Sequence, residues 1–216
     1  MPPSPESLSK RAAADIRDLL VSGRLKPGMR LSEEQMAETL QISRNTLREA
    51  FRQLTTEGLL QHHPNRGVFV RAPDSADIID IYRVRRAIQT HAIAHSTIGH
   101  PALTRMRAAV ETAKVAASKQ DWDTVGTTNM DFHRAMADLC DSQRISTYFE
   151  SVLAELRLVF LLMDSPAYLH EPYVPLNERL IDHLDNGRIA EATAELDAYL
   201  LRSERAILAA LARAKP

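Results

Sequence analysis

Apolar positions recur at helical spacing along the first part of the chain. Leu8, Ala12, Ile16 and Leu19/Leu20 share one face, which predicts a helix ended by Ser22-Gly23. Lys26-Pro27-Gly28 reads as a turn. Ser32 is placed to cap a second, short helix through Met36, Ala37 and Leu40. Ser43 is placed to cap a third, carrying Leu47, Ala50, Phe51 and Leu54 and stopping at Gly58. The periodicity then changes. Pro64-Asn65-Arg66-Gly67 is turn chemistry between two strand-like runs, so residues 59–70 are a predicted hairpin. Three helices followed by a hairpin form the pattern of a winged helix-turn-helix.

After Pro73 the strand signal disappears. Asp74/Ser75 starts a predicted helix to about Ile98, and Pro101 suits the first turn of the next, to about Lys119. Further helices are predicted over about 121–140, 142–163, 174–186 and 188–213, broken by Asp141-Ser142, Ser165-Pro166 and Asn186-Gly187. The expected fold is mostly α: an N-terminal winged helix-turn-helix and a C-terminal antiparallel all-α bundle. Residues 1–7 are expected to be a disordered lead-in, 8–72 the winged domain and 73–216 the helical domain.

Composition narrows this reading. At 216 residues the chain holds one large domain or two small ones, and its 5% aromatic residues and seven glycines disfavour a β-sandwich or barrel. Cys140 is the single cysteine, so no intramolecular disulfide can form, and a reducing cytoplasm is the expected location. No apolar run is long enough for a membrane helix, and the N-terminus has no secretory pattern. The net charge of −1 argues against a protein that coats nucleic acid. That figure averages two unlike halves. Residues 1–73 hold 11 Lys/Arg against 8 Asp/Glu, a surplus of +3, whereas residues 74–216 hold 16 against 20, or −4.

The basic surplus gathers where a helix-turn-helix reads DNA. The third helix opens Ser43-Arg44-Asn45-Thr46-Leu47-Arg48, and the N-terminal residues of such a helix enter the major groove. Arg44 can fork onto guanine O6 and N7. Asn45 and Thr46 can reach base edges or phosphate oxygens, and Arg48, one turn on, a phosphate or a second base. At the hairpin tip, Arg66 can lie in or beside the minor groove, with Gly67 permitting the tight turn. Ser43 completes the candidate DNA-binding set. An amphipathic helix with a solvated basic face would account for Arg44 or Arg48 alone, but not for the preceding short helix, the cap and the wing together.

These residues resemble the GntR-type winged helix. The resemblance is carried by Pro27-Gly28-Met29-Arg30-Leu31-Ser32-Glu33, Ile42-Ser43-Arg44-Asn45-Thr46-Leu47-Arg48-Glu49-Ala50-Phe51, Glu57-Gly58-Leu59 and Arg66-Gly67-Val68-Phe69-Val70. It departs at Asn45-Thr46, where Thr-Pro is commoner, and at Glu34, where many members carry a DNA-contacting Arg. The helical half resembles the FCD effector domain of the FadR-like subgroup through Val84-Arg85-Arg86-Ala87-Ile88-Gln89, Asp131-Phe132-His133-Arg134-Ala135 and Leu180-Ile181-Asp182-His183-Leu184-Asp185-Asn186-Gly187. The resemblance implies a helical bundle around a small-molecule cavity, often a homodimer. In many members it also implies a divalent metal held by an Asp or Asn and three His.

Carried over residue by residue, the metal positions fall on Asn129, His133, Asn177 and Tyr199. Two imidazoles are then missing, and neutral Asn is a poor zinc or nickel ligand. The expectation is therefore that the family's divalent metal is absent or weakly held, with His133 the residual candidate, unless a shifted alignment brings in His170 or His183. Arg85 shares a helical stripe with Ile78, Ile81, Ile88 and Ala92, so it should be buried and need an anionic partner. Two partners are open: an Asp or Glu of a neighbouring helix, or the carboxylate of an effector. His91 and His95 lie four apart but form no His-Glu-x-x-His motif and read as a solvated or packed pair. Trp122, Tyr148, Met163, Tyr168 and Tyr173 read as core or loop packing.

Arg85, Asn129, His133, Asn177 and Tyr199 thus form the candidate effector set, a polar pocket for an acid or amide. The expected function is a ligand-responsive transcriptional regulator, a repressor in its usual mode. It would bind a near-palindromic operator as a homodimer, with double-stranded DNA and a small acidic metabolite as partners and no membrane. Two other classes compete. A metal-dependent enzyme is disfavoured because no nucleophile, base and orienting group stand at a telling spacing. A ligand-independent helical interaction module would bind DNA without regard to any metabolite.

Overall fold

The computed structural model describes residues 5–163 and 171–214. The chain divides into two compact units. One comprises the residues up to Pro73 together with Ala154–Leu162; the other comprises Asp74–Leu153 and the chain from Met163 onward.

The first unit contains α1 (Pro5–Val21), β1 (Arg30–Leu31), α2 (Glu33–Thr39), α3 (Arg44–Thr56), β2 (Leu60–His63) and β3 (Gly67–Val70). The two short helices start where the caps were expected. The Ser32 hydroxyl accepts from the Gln35 amide and the Ser43 hydroxyl from the Thr46 amide, each such cap contributing about 1 kcal/mol. α3 ends in a Schellman-type turn: Gly58 takes φ +75° and the Leu59 amide bonds back to the Leu54 carbonyl. Ile16, Leu20, Leu47, Leu54 and Leu59 have no exposed surface and make the core. β3 is the central strand of an antiparallel sheet ordered β1-β3-β2, with Leu60 opposite Val70 and Leu31 opposite Val68. The hairpin was anticipated and β1 was not.

Two domain boundaries differ from expectation. α1 begins at Pro5, so the lead-in expected over 1–7 is helical in its last three residues; residues 1–4 lie outside the described residues. The span 73–216 was expected to belong wholly to the helical domain, but Ala154–Leu162 groups with the winged unit. There Ala154 and Leu158 join its apolar core, and the buried Arg157 donates from Nε to the Val21 carbonyl at 2.9 Å. A cation at that helix C-terminus satisfies an orphan carbonyl and complements the helix dipole.

The second unit holds α4 (Ser75–Ala94), α5 (Pro101–Ser118), α6 (Trp122–Ala137), a 3-10 turn (Asp138–Cys140), the first part of α7 (Gln143–Leu161), α8 (Tyr173–Asp185) and α9 (Ile189–Ala214). α5 packs on α6 and α8, and α4 on α6 and α9. Asp74 caps α4 in a reciprocal capping box with Asp77. α4 stops at Ala94 rather than near Ile98. His100 precedes a proline and so must be extended, with φ −53° and ψ 135°; the chain uses the residues before it to turn, and Ile98 is exposed. No described helix is long and apolar enough to cross a membrane.

Candidate nucleic-acid interface and buried polar site

On the winged unit, Leu47, Ala50, Phe51 and Leu54 bury one face of α3. The opposite face presents Arg44, Asn45 and Arg48 to solvent. Each arginine meets a carboxylate from α2: Arg44 Nη2 lies 2.8 Å from Glu34 Oε1, and Arg48 Nε 2.9 Å from Glu33 Oε2. Ser43 and Thr46 bond to each other at 2.8 Å as well as forming the cap, so their hydroxyls are engaged in starting the helix. Arg66 is exposed at the hairpin tip, its guanidinium carbon 6.0 Å from the Phe69 ring centre. Asn65 (φ +61°) and Gly67 (φ +100°) make the left-handed turn that puts it there.

Between α3 and the wing lies a groove of about 670 Å³ lined by Arg48, Arg52, Thr55, Thr56 and His62. A second, of about 450 Å³, runs past Arg30, Ser32 and Gly67. Arg30 and Arg52 were not in the candidate set. Arg52 follows Arg48 by one helical turn and was legible from spacing. Arg30 sits on a two-residue strand, too short for an alternation signal.

In the helical unit, all five residues of the candidate effector set are buried and come together. Arg85 from α4 has Nη2 3.1 Å from His133 Nε2 of α6. The same ring nitrogen is 2.9 Å from the Tyr199 hydroxyl of α9. Tyr199 in turn lies 3.5 Å from Asn129 Oδ1, which accepts from Asn177 Nδ2 of α8 at 3.0 Å. Gln89 completes the cluster, its amide Nε2 2.9 Å from His133 Nδ1. The residues missed here are Gln89 and Tyr82, whose ring carries the Arg85 guanidinium at 4.6 Å. Gln89 is one turn beyond Arg85 and fully buried, whereas Ile88, assigned to that stripe, is only half-buried.

Burial, and secondarily the Arg85 charge, pushes the His133 pKa well below its ordinary range, so the ring is neutral. Burial raises the Tyr199 and Tyr82 hydroxyls, against the opposing pull of Arg85, so both stay protonated. Among the described residues no Asp or Glu meets Arg85, the first of the two partners left open. Its Nε and Nη1, the Gln89 Oε1 and the Asn177 Oδ1 are buried without hydrogen-bond partners. A small cavity of about 10 Å³ adjoins Asn129, Asn177, Thr128 and Phe132, room for about one water.

The remaining histidines lie elsewhere. His183 binds Glu195 through Nε2 at 3.1 Å and accepts from Arg188 at Nδ1, outside this cluster. His170 and Tyr168 lie outside the described residues. His91 and His95 stack at 4.1 Å on an exposed face. Among the described residues no group of three or more His, Cys, Asp or Glu is placed to hold a metal ion. Tyr173 packs edge-on against Tyr199 at 4.8 Å, while Tyr148 is exposed rather than packed.

Comparison with known proteins agrees with both halves of this description. Residues 8–70 match the family model of bacterial regulatory proteins, gntR family, and residues 80–202 match the FCD domain. A GntR transcriptional regulator of known structure from Rhodococcus sp. RHA1 is 38% identical, covering 94% of this chain and 98% of that one, with a TM-score of 0.87. The Nta operon transcriptional regulator of Aminobacter aminovorans is 37% identical over 75 residues, 35% of this chain and 36% of its own length. The HTH-type transcriptional regulator YdhC of Bacillus subtilis is 26% identical over 140 residues, 63% of this chain and 62% of its own. The chain thus spans less than two thirds of these two curated relatives.

Proposed function

The chain belongs to the GntR family of bacterial regulatory proteins and carries an FCD domain, so it is a transcriptional regulator and not an enzyme; on that premise we propose a ligand-responsive repressor of the FadR subgroup. It works in the cytoplasm as a homodimer on a near-palindromic operator. The winged domain over 8–72 reads DNA through Ser43, Arg44, Asn45, Thr46, Arg48, Arg66 and Gly67. The helical domain, Asp74–Leu153 with the chain from Met163 onward, senses a small acidic metabolite through Arg85, Asn129, His133, Asn177 and Tyr199, with no metal cofactor. Ligand binding there changes operator affinity, and by linkage operator DNA changes ligand affinity by the same factor.

The observation that carries this reading is Arg85, a buried cation with no acidic partner among the described residues. Such a charge is strongly unfavourable unless an anion meets it. The cavity beside Asn129 and Asn177 has room for about one water. A metabolite therefore selects a state in which α5, α6 and α8 stand further apart, and that difference between states is what allows a ligand to shift an equilibrium.

Selection of duplexes from a random pool by the full chain tests the DNA half. The expected product is two half-sites related by a two-fold axis, bound by two protomers. A single asymmetric site bound by one protomer would overturn the dimeric reading.

A further inference from the structure

The hydrogen-bond inventory around His133 does not close, and the way it fails specifies the ligand. A neutral imidazole offers one acceptor nitrogen. Three donor groups face the ring: the Gln89 amide at Nδ1 (2.9 Å), and Arg85 Nη2 (3.1 Å) and the Tyr199 hydroxyl (2.9 Å) at Nε2. If Gln89 donates, Nε2 carries the hydrogen and Arg85 loses its partner. If the Gln89 amide is turned to accept, Nε2 serves Arg85 but the Gln89 NH2 takes the place of the unpartnered Oε1. Either arrangement leaves donors in excess, in addition to Arg85 Nε and Nη1. The Arg85 end of the cluster is short of acceptors and of negative charge, while Asn177 Oδ1 at the other end lacks a donor.

The same geometry bears on the metal that the resemblance implies. A divalent ion on His133 would stand about 2.0–2.1 Å from Nε2 along its lone pair. Arg85 Nη2 already occupies that side at 3.1 Å and Tyr199 at 2.9 Å. The other donors are two mutually bonded amides and a protonated phenol, and a fixed positive charge stands among them. The residues present do not fit a metal.

We infer that the Arg85 guanidinium takes the role of the missing cation, and that the effector is a small monocarboxylate, bound without metal, whose second polar group is a hydrogen-bond donor. This rests on the reading of the helical unit as the effector site and gives that effector a chemical class. The carboxylate sits on Arg85, where Nε–H or Nη1–H joins a hydrogen of Nη2 in a bidentate fork. The donor, a hydroxyl or amide N–H, meets Asn177 Oδ1, the unpartnered acceptor at the other end of the chain of contacts. A second carboxylate on the ligand finds no cation there, so dicarboxylates are excluded. The Tyr82 ring covers one face of the guanidinium and keeps it from solvent.

The test is calorimetry and thermal melting of the full chain with acetate, lactate and malonate and with the neutral amides acetamide and lactamide, each with and without EDTA. Lactate is expected to bind and raise the melting temperature more than acetate, with malonate and both amides at least about 30-fold weaker, the loss typical of leaving a buried charge unpaired. EDTA is expected to change nothing, and Arg85→Gln to abolish the carboxylate preference. The amide probes make the charge test without any protein variant, so a poorly folding Arg85→Gln leaves the outcome decided. Carboxylate binding that EDTA abolishes and zinc restores would overturn the metal-free assignment while leaving the acid-sensing reading intact. Amides binding as well as acids, or no acid binding at all, would overturn both.

Discussion

The arginines of the two units are in opposite situations. Arg44 and Arg48 stand in solvent, each beside a glutamate of α2. Arg85 is buried with no carboxylate among the described residues. An exposed ion pair is worth about 0–1 kcal/mol, so a DNA phosphate or guanine edge can displace Glu33 or Glu34 at little cost. A buried cation has no such latitude, because desolvation removes several kcal/mol that only an anion restores. In the proposed function, exposed and loosely paired charge suits a surface that must exchange partners. Buried and unpaired charge suits a site that waits for one.

The largest expected effect breaks the first half of that contrast. Arg44→Ala combined with Arg48→Ala should lower operator affinity by about 2–6 kcal/mol, from about 1–3 for each lost contact. Thermal stability should move by less than about 0.5 kcal/mol, since both side chains are exposed. Fluorescence anisotropy with the selected duplex reads the first and a melting curve the second. Unchanged affinity would place the recognition face elsewhere.

The second effect probes the buried charge without ligand. Arg85→Met removes an uncompensated cation and keeps an unbranched side chain in its place. Ligand-free stability is expected to rise by about 1–4 kcal/mol, as when other buried ions are replaced by apolar groups. Urea denaturation measures it. A loss of about 3–5 kcal/mol would show that Arg85 has a structural anionic partner after all, and the comparison with the surface arginines would fail.

A third effect comes from His133. Burial first, and then Arg85, lowers its folded-state pKa well below the ordinary value. As the pH falls below about 6.5, the unfolded chain takes up a proton that the folded chain refuses. The stability tied to this ring is therefore complete above pH 6.5 and declines toward acid by up to about 1.4 kcal/mol per pH unit. His133→Gln should remove that share of the slope between pH 6.5 and 5. Equal slopes for the two proteins in urea titrations would mean that the ring is not held neutral.

Much of this arrangement was legible in the chain, for identifiable reasons. Ser32, Ser43, Asp74 and Pro101 mark helix starts because each meets a local requirement of its own backbone. Arg85, Asn129, His133, Asn177 and Tyr199 could be brought into one pocket through a resemblance, not through periodicity, since they come from four different helices. Gln89 escaped because an uncharged amide draws no attention until His133 is seen across from it. The grouping of Ala154–Leu162 with the winged unit was also invisible, because one continuous helical pattern carries no mark of which core its apolar face will join. Pairing of distant segments is where local reasoning stops, and β1 is the clearest instance: its two residues become a strand only through β3.

The smallest effect sharpens the comparison at the surface. Glu34 stands where many relatives of this fold are expected to carry an arginine, yet its carboxylate holds Arg44 at 2.8 Å. Glu34→Ala removes a negative charge from the face proposed to meet phosphates and frees Arg44 to move. Both changes favour unspecific contact with the DNA backbone, while only an oriented guanidinium discriminates guanine. Stability should change by less than about 0.5 kcal/mol. Affinity for unrelated duplex should rise, and affinity for the selected operator should change by less than about 1 kcal/mol, so the ratio between them falls. Measured at one fixed salt concentration, an unchanged or larger ratio would show that the Glu34 pair does not orient Arg44. The loose pairing of the surface arginines would then be only a consequence of their exposure, with no part in reading sequence.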